Sequence, residues 1–389
     1  MRAARRTFWV VVLAGGAAVC AATPAVSADL PKATQEILKK LELKPEILAG
    51  LEEELQIPQE WLDGARKEGV VRIVATWDPK QFATLNMPFR ERFPGIKVEY
   101  ARAGFTARAV RTLIAYKEGR YTTDIVTGFG GSEQHFEEAG ALEDLRQIPG
   151  LKNPLPGTGD ANGTWVGTRI RYWCIVYNTD KVKKEDLPKT WDDILTATKW
   201  HNGNIGVADR PQLWLLMLWG EFGKEWTLNY IDKFFNVVKP QVRKEGNNAL
   251  LGLAIAGEFH AALPASARRA KQYLDRGAPV AWHCPEPVPL AVSQMGILKG
   301  NPHPNASRLW VNWFLSKEGQ IAQFAADGAP PVHKDLQTED FLSFPEQING
   351  RKIAFRVPEH EGATEELNQI WSKYWVGAGG VHSDSQDEE

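Results

Sequence analysis

Residues 70–100 read VVRIVATWDPKQFATLNMPFRERFPGIKVEY, and the fold turns on how they are parsed. An apolar run, Val70–Ala75, gives way to a loop at Thr76–Lys80, a helical stretch to Phe93, a Pro94-Gly95 stop and a second strand-like run, Ile96–Tyr100. The alternation continues with a helix around Ala107–Lys117, a strand Asp124–Thr127 and the turn Gly128-Phe129-Gly130-Gly131-Ser132 before a helix Glu133–Ala139. Strands alternating with helices at this spacing predict right-handed βαβ crossovers and a parallel sheet.

Toward the C-terminus the theme repeats, with a strand Arg169–Tyr177, a helix start at Thr190-Trp191-Asp192-Asp193, a strand Ile205–Ala208 and a tryptophan-rich helix after Pro211. Thr190 and Asp193 approximate a capping box, and proline suits a first helical turn. A second α/β lobe follows from this. The segment Ala278–Pro289 carries Pro279, Pro285, Pro287 and Pro289 and reads as an extended connection between lobes, because proline removes backbone donors from helices and central strands. A strand Leu290–Leu298 and two helices over Ala306–Ala326 come next. Toward the N-terminus, Asp29–Gly64 places Ile37, Leu38, Leu41, Ile47, Leu48, Leu51 and Leu55 at helical spacing with breaks at Pro45 and Pro58, predicting a helical cap outside the lobes.

The ends and the composition bound the rest. Arg2, Arg5 and Arg6 precede an apolar run, Phe8–Val19, that closes on Val26-Ser27-Ala28, the pattern of an export leader cleaved near Ala28. That run is shorter than the ~20 residues a membrane span needs, so a periplasmic mature protein is expected. Arg5-Arg6-Thr7-Phe8 suits twin-arginine export as well as the general route, and the residues before Cys20 do not form a lipoprotein processing site. Cys174 and Cys284 remain, either paired in an oxidising compartment or as buried thiols, with buried thiols favoured. The formal charge of −2 falls to −5 once the three leader arginines are lost, and no basic stripe points to nucleic acid. At 389 residues the chain exceeds the ~250–300 at which single cores split. The expected division is a leader (1–28), a helical extension (29–65), a first lobe from 66–168 plus 285–376, a second lobe (169–284) and a disordered acidic tail (377–389).

Several segments resemble a known family. Phe89-Arg90-Glu91-Arg92-Phe93-Pro94-Gly95-Ile96-Lys97-Val98, Tyr177-Asn178-Thr179-Asp180 with Leu187-Pro188-Lys189-Thr190-Trp191, Ala256-Gly257-Glu258, and Pro302-His303-Pro304-Asn305-Ala306 through Leu315-Ser316-Lys317-Glu318-Gly319-Gln320 resemble, in matching order, the extracellular solute-binding proteins of ATP-driven (ABC) importers. The resemblance is to the group that includes ferric-iron, thiamine, polyamine and phosphonate binders. It implies two doubly wound α/β lobes joined by crossing strands, the type II periplasmic binding fold. It also implies a ligand held in the cleft by hinge closure, no cofactor, and a partnership between this monomer and an inner-membrane permease with its cytoplasmic ATPase.

Candidate site residues come from loops beyond the carboxyl ends of strands, where α/β sheets place ligands. Trp77-Asp78 follows the first strand, and Gly130-Gly131-Ser132 follows the third. The latter is either an anion cradle at a helix start or a tight turn that needs glycine for its geometry. On the strand from Arg169, period-two alternation puts Arg169, Arg171 and Trp173 on one face. Two guanidiniums there suit a carboxylate or phosphonate, with Trp173 or Tyr172 stacking on the ligand; the plainer reading is structural ion pairs. Asp209-Arg210 precedes Pro211 and reads as a ligand contact or only a helix cap.

After Gly257-Glu258 the family's ferric binders place adjacent tyrosines, whereas here the run to Arg269 has none before Tyr273, which argues against iron. Ser266, with Arg268 or Arg269, is left as a contributor to an anion pocket; a solvated basic helix is the alternative. An organic anion is therefore the expected ligand, with a polyamine or ferric ion as the alternative. An enzyme on the same fold is the rival reading, but the histidines are scattered without H-E-x-x-H or G-x-S-x-G. His283 and Cys284, adjacent in an extended segment, point oppositely and do not form a catalytic pair. No catalytic or metal-ligating residue is assigned.

Overall fold

The computed structural model describes residues 30–104, 106–355 and 361–382. The leader, its cleavage point, the export route and the acidic stretch beyond residue 382 lie outside the described residues. Among the described residues ten strands form, β1 (Val70–Ala75), β2 (Lys97–Arg102), β3 (Ile125–Thr127), β4 (Val166–Asn178), β5 (Ile205–Ala208), β6 (Gln241–Arg243), β7 (Ala261–Ser266), β8 (Val280–His283), β9 (Val288–Ile297) and β10 (Ile353–Phe355). They run in the order β2-β1-β3-β9-β4-β7-β5-β6, with β8 on β4 and β10 on β9.

The alternation at residues 70–100 produces the parallel pairs β1–β2 and β1–β3, and the repeat in the middle of the chain produces β5–β6 and β5–β7. Parallel pairs need helical crossovers, which is why strands and helices alternate in both halves. Two long antiparallel strands join these parallel groups. β4 runs 13 residues; its first part, to Tyr172, pairs with β9, and its second, from Trp173, with β7 and β8. β9 pairs with β3 at one end and β10 at the other. The proline-rich segment is extended as expected, but it is not only a connection: β8 and the start of β9, Pro289 included, are ladder strands.

Among the described residues two large cores lie on either side of this crossing, with a smaller one around Val74, Phe129, Phe136 and Trp165. One gathers Trp191, Trp200, Trp214, Phe234 and Leu250 around β4, β5 and β7. The other gathers Phe89, Ile73, Ile125, Trp310, Trp313 and Phe314 around β1 and β3. Asp124, fully buried at the head of β3, ties the second core's layers together. It accepts from the Arg72 backbone N–H (2.7 Å) and guanidinium (2.7 Å) and pairs with His303 Nδ1 (2.9 Å).

The N-terminal extension is built into this core and does not stand outside it. Ile37, Leu38, Leu48, Leu51 and Trp61 share the cluster of Trp310 and Trp313. Polar groups fix the join. Glu54 Oε2 accepts the N–H of Lys317 (2.8 Å), and Glu68 caps the helix Pro304–Phe314 through the N–H groups of Asn305 (3.2 Å) and Ala306 (2.7 Å).

Two further expectations are corrected. Cys174 and Cys284 form a disulfide with Cα atoms 5.1 Å apart. β4 and β8 run antiparallel with Ile175 opposite His283, which brings the next residue on each side together. The C-terminal helix Glu361–Gly377 packs with the core around β4 and β5 through Leu367, Trp371 and Trp375, and not with the lobe containing β1 as the 285–376 boundary implied. Residues just past it are also placed: His382 Nδ1 lies 2.6 Å from Asp209 Oδ2, and its Nε2 is 3.0 Å from Ser372 Oγ.

Candidate functional site

The carboxyl ends of β3, β5 and β7 all open toward the stretch Arg169–Trp173 of β4, so loops from both halves of the sheet meet at one strand. Beyond β3 the turn carries φ of +63° at Gly130 and +91° at Gly131, values glycine adopts without strain. A Cβ at Gly131 would meet nothing within 4 Å. The glycine is therefore needed for backbone geometry, and it leaves that backbone bare.

Alternation along β4 holds from Arg169 to Trp173, but the two arginines have different environments. Arg169 is 3 % exposed. It forms an ion pair with Asp327, donates to Thr76 Oγ1 (2.9 Å) and Ser293 Oγ (3.4 Å), and lies 4.9 Å from the Trp77 ring centroid. Burial pushes the Asp327 carboxyl up, yet the guanidiniums of Arg169 and Arg268 and the N–H of Ala329 outweigh it and hold the pKa below its ordinary value. Arg169 is thus a structural residue with Trp77 behind it.

Arg171 is only partly buried. Its Nε donates to Ser293 Oγ (2.7 Å) and its guanidinium lies 5.9 Å from the Trp173 ring centroid. The Ser293 hydroxyl, on β9 opposite Arg169, accepts from both arginines and fixes their spacing.

Two small cavities flank β4 here, and Arg171 lines both. One, of about 20 Å³, also involves Arg169, Tyr172, Ser266 and Arg268. The other, of about 40 Å³, is lined by Gly130, Gly131, Arg171, Trp173, Gln212 and Thr364, among others. Tyr172 is buried, and desolvation pushes its phenol up to about 12, so it stays neutral and serves as a flat wall. Larger surface grooves, one of about 920 Å³ over Trp282 and Phe344, contain neither arginine.

Of the twelve residues anticipated, Gly130, Gly131, Arg169, Arg171, Tyr172, Trp173 and Ser266 line one or other of these cavities. Trp77 is buried behind Arg169. Asp78 caps the helix Pro79–Arg92 and sits 3.4 Å from Arg102 Nε. The Ser132 hydroxyl turns back to donate to the Phe129 carbonyl (2.7 Å). Asp209 faces His382, and Arg210 donates to the Asp209 carbonyl (3.0 Å). None of these five lines either cavity.

Ser293, Gln212 and Thr364 were missed. Gln212 lies two residues beyond Arg210 and was within reach of a broader reading of that loop. Ser293 depends on strand register and Thr364 on where the last helix docks, and neither leaves a local mark. Among the described residues, Glu54, His333 and Asp335 are close enough to hold a metal. The Lys317 ammonium sits 3.5 Å from Glu54 and 3.3 Å from Asp335 and already supplies the cation there.

Residues 76–321 match the family model described as bacterial extracellular solute-binding protein. Similar solved structures include iron-bound HitA from Pseudomonas aeruginosa, at 19 % identity over 78 % of this chain and 99 % of that one with a TM-score of 0.66. Another is Trichodesmium IdiA (FutA) in complex with iron and citrate, at 16 % identity, 79 % and 99 % coverage and a TM-score of 0.66. A third is AfuA from Actinobacillus pleuropneumoniae with fructose-6-phosphate, at 19 % identity, 80 % and 98 % coverage and a TM-score of 0.61. At these identities the likeness is one of fold, the type II periplasmic binding fold with two lobes and crossing strands.

Proposed function

This chain belongs to the bacterial extracellular solute-binding proteins, and we propose that it is the capturing component of an ABC-type importer that binds a small organic anion, a carboxylate or phosphonate. The observation that carries this reading is Arg171, a guanidinium lining both cavities on β4, a strand that pairs with both halves of the sheet. A guanidinium fork matches two oxygens of such an anion, and the bare Gly130–Gly131 backbone allows close approach from the other side. The cavities are too small for an organic molecule to enter unaided, so capture proceeds by opening and closing of the lobes about β4 and β9, the hinge motion of such folds. The closed form is then recognised in the periplasm by a membrane permease, which its ATPase drives.

Two alternatives are less well supported. Proteins of similar fold hold iron, but among the described residues that line the two cavities Tyr172 is the single tyrosine and there is no carboxylate. A polyamine would need carboxylates, and among the described residues neither cavity is lined by one, while Asp327 beside them is already neutralised by Arg169. We read the protein as a binder and not an enzyme; Cys284 is tied up in the disulfide, so it offers no nucleophile beside His283.

Calorimetric titration with a panel of small carboxylates and phosphonates tests the reading. At least one binds, and Arg171→Ala weakens it by about 2–5 kcal/mol, the usual cost of losing one partner of a desolvated charge pair. Unchanged affinity in Arg171→Ala contradicts the assigned site.

A further inference from the structure

The 40 Å³ cavity holds a feature that the arginine does not explain. Trp173 Nε1 and Thr364 Oγ1 are both buried without a hydrogen-bond partner, and both residues line this cavity. An unmade hydrogen bond in a dry site is costly, and an indole N–H can only donate. A partner supplied by the ligand must therefore be an acceptor atom. The donors approach from separate elements: Trp173 and Arg171 from β4, the backbone of Gly130 and Gly131 from the turn after β3, and Thr364 from the C-terminal helix. At about 10–15 Å³ per water-sized group, the volume suits roughly three such groups, the size of an oxoanion head and not of a sugar ring.

We propose that Thr364 is a specificity-determining residue that makes this cavity a pocket for a tetrahedral oxoanion, a phosphonate or phosphate group, in preference to a planar carboxylate. The inference rests on the anion-capture reading and narrows it. A carboxylate presents two oxygens in one plane, and the Arg171 fork takes both. A tetrahedral group keeps a third oxygen directed away from that plane, free to accept from the Trp173 and Thr364 donors. Thr364 lies outside the family-matched residues 76–321, so the selectivity is supplied from outside the segment that marks the family.

The test is titration of residues 29–389 with methylphosphonate, inorganic phosphate and acetate. The wild type binds the first two at least about tenfold more tightly than acetate. Thr364→Val weakens methylphosphonate by about ten- to a hundredfold, the range for a hydrogen bond to a charged group, while acetate and the melting temperature of the unliganded protein hold. Thr364→Ser restores most of the loss. Trp173→Phe keeps the ring, removes only the N–H, and produces a similar loss, which covers the case in which Thr364→Val fails to fold. If Thr364→Val and Trp173→Phe bind methylphosphonate as the wild type does, or acetate binds as tightly as methylphosphonate, the selectivity assignment is overturned. A simultaneous loss of all three anions in Arg171→Ala would then leave the anion reading standing. If the wild type binds none of the three, the anion reading fails and this inference fails with it.

Discussion

Arg169 and Arg171 sit two residues apart on the same face of β4, and their neighbours divide their roles. Arg169 meets a carboxylate in a dry site; Arg171 meets a hydroxyl at the edge of two cavities. Removing one partner of a buried ion pair strands the other. Arg169→Ala should therefore destabilise the fold by about 3–5 kcal/mol, read as a shift in the urea midpoint, whereas Arg171→Ala should cost less stability and far more binding. Equal losses of stability in the two variants would contradict this division. The pair also sets an acid limit. Asp327 has its folded pKa depressed below the ordinary 3.8. A depressed carboxylate contributes stability that is complete above its unfolded pKa and is lost as pH falls through the folded one. Stability measured against pH should thus hold through neutrality and drop below about pH 4, and Asp327→Asn should flatten that drop. The alternation that paired the arginines was legible in residues 168–177. Which of them would find a carboxylate was not, because Asp327 comes from a helix 158 residues away.

At the scale of elements, the run of short strands and helices announced its parallel pairs because the period of the pattern changes from two to 3.6 within a few residues. Features that depend on pairing register were invisible. The disulfide is one, since Cys174 and Cys284 come together only once β4 and β8 are aligned. Closing a loop of 110 residues restricts the unfolded chain, and losing such a bridge costs about 2–5 kcal/mol. Reduction, or Cys174→Ser with Cys284→Ser, should lower the melting temperature without abolishing anion binding. An unchanged melting temperature would contradict a structural role for the bridge. The N-terminal helices were legible as helices from Ile37, Leu38, Leu48 and Leu51, but their burial was not. It rests on Glu54 and Glu68 reaching the helices that begin at Lys317 and Pro304, contacts more than 200 residues apart in sequence.

For the whole molecule, the sheet order explains why the two cavities form where they do. β4 and β9 are the strands that belong to both halves, so a group held on β4 feels any change in the angle between them. The resemblance of ordered motifs carried the two-lobed architecture and the transport class. It could not carry the ligand, because the residues that complete the larger cavity include Ser293, set by strand register, and Thr364, set by the docking of a helix outside the shared family region. That helix joins the core around β4 through Trp371 and Trp375, and brings Thr364 to the cavity beside Arg171.

The central claim is that Arg171 holds an anion at this crossing. Native mass spectrometry of the chain without its leader, followed by denaturation and identification of the released small molecule, tests it most directly. A bound organic anion is expected, retained in Arg169→Lys and lost in Arg171→Ala. A ferric ion or polyamine in its place, or an anion that Arg171→Ala still carries, would contradict it.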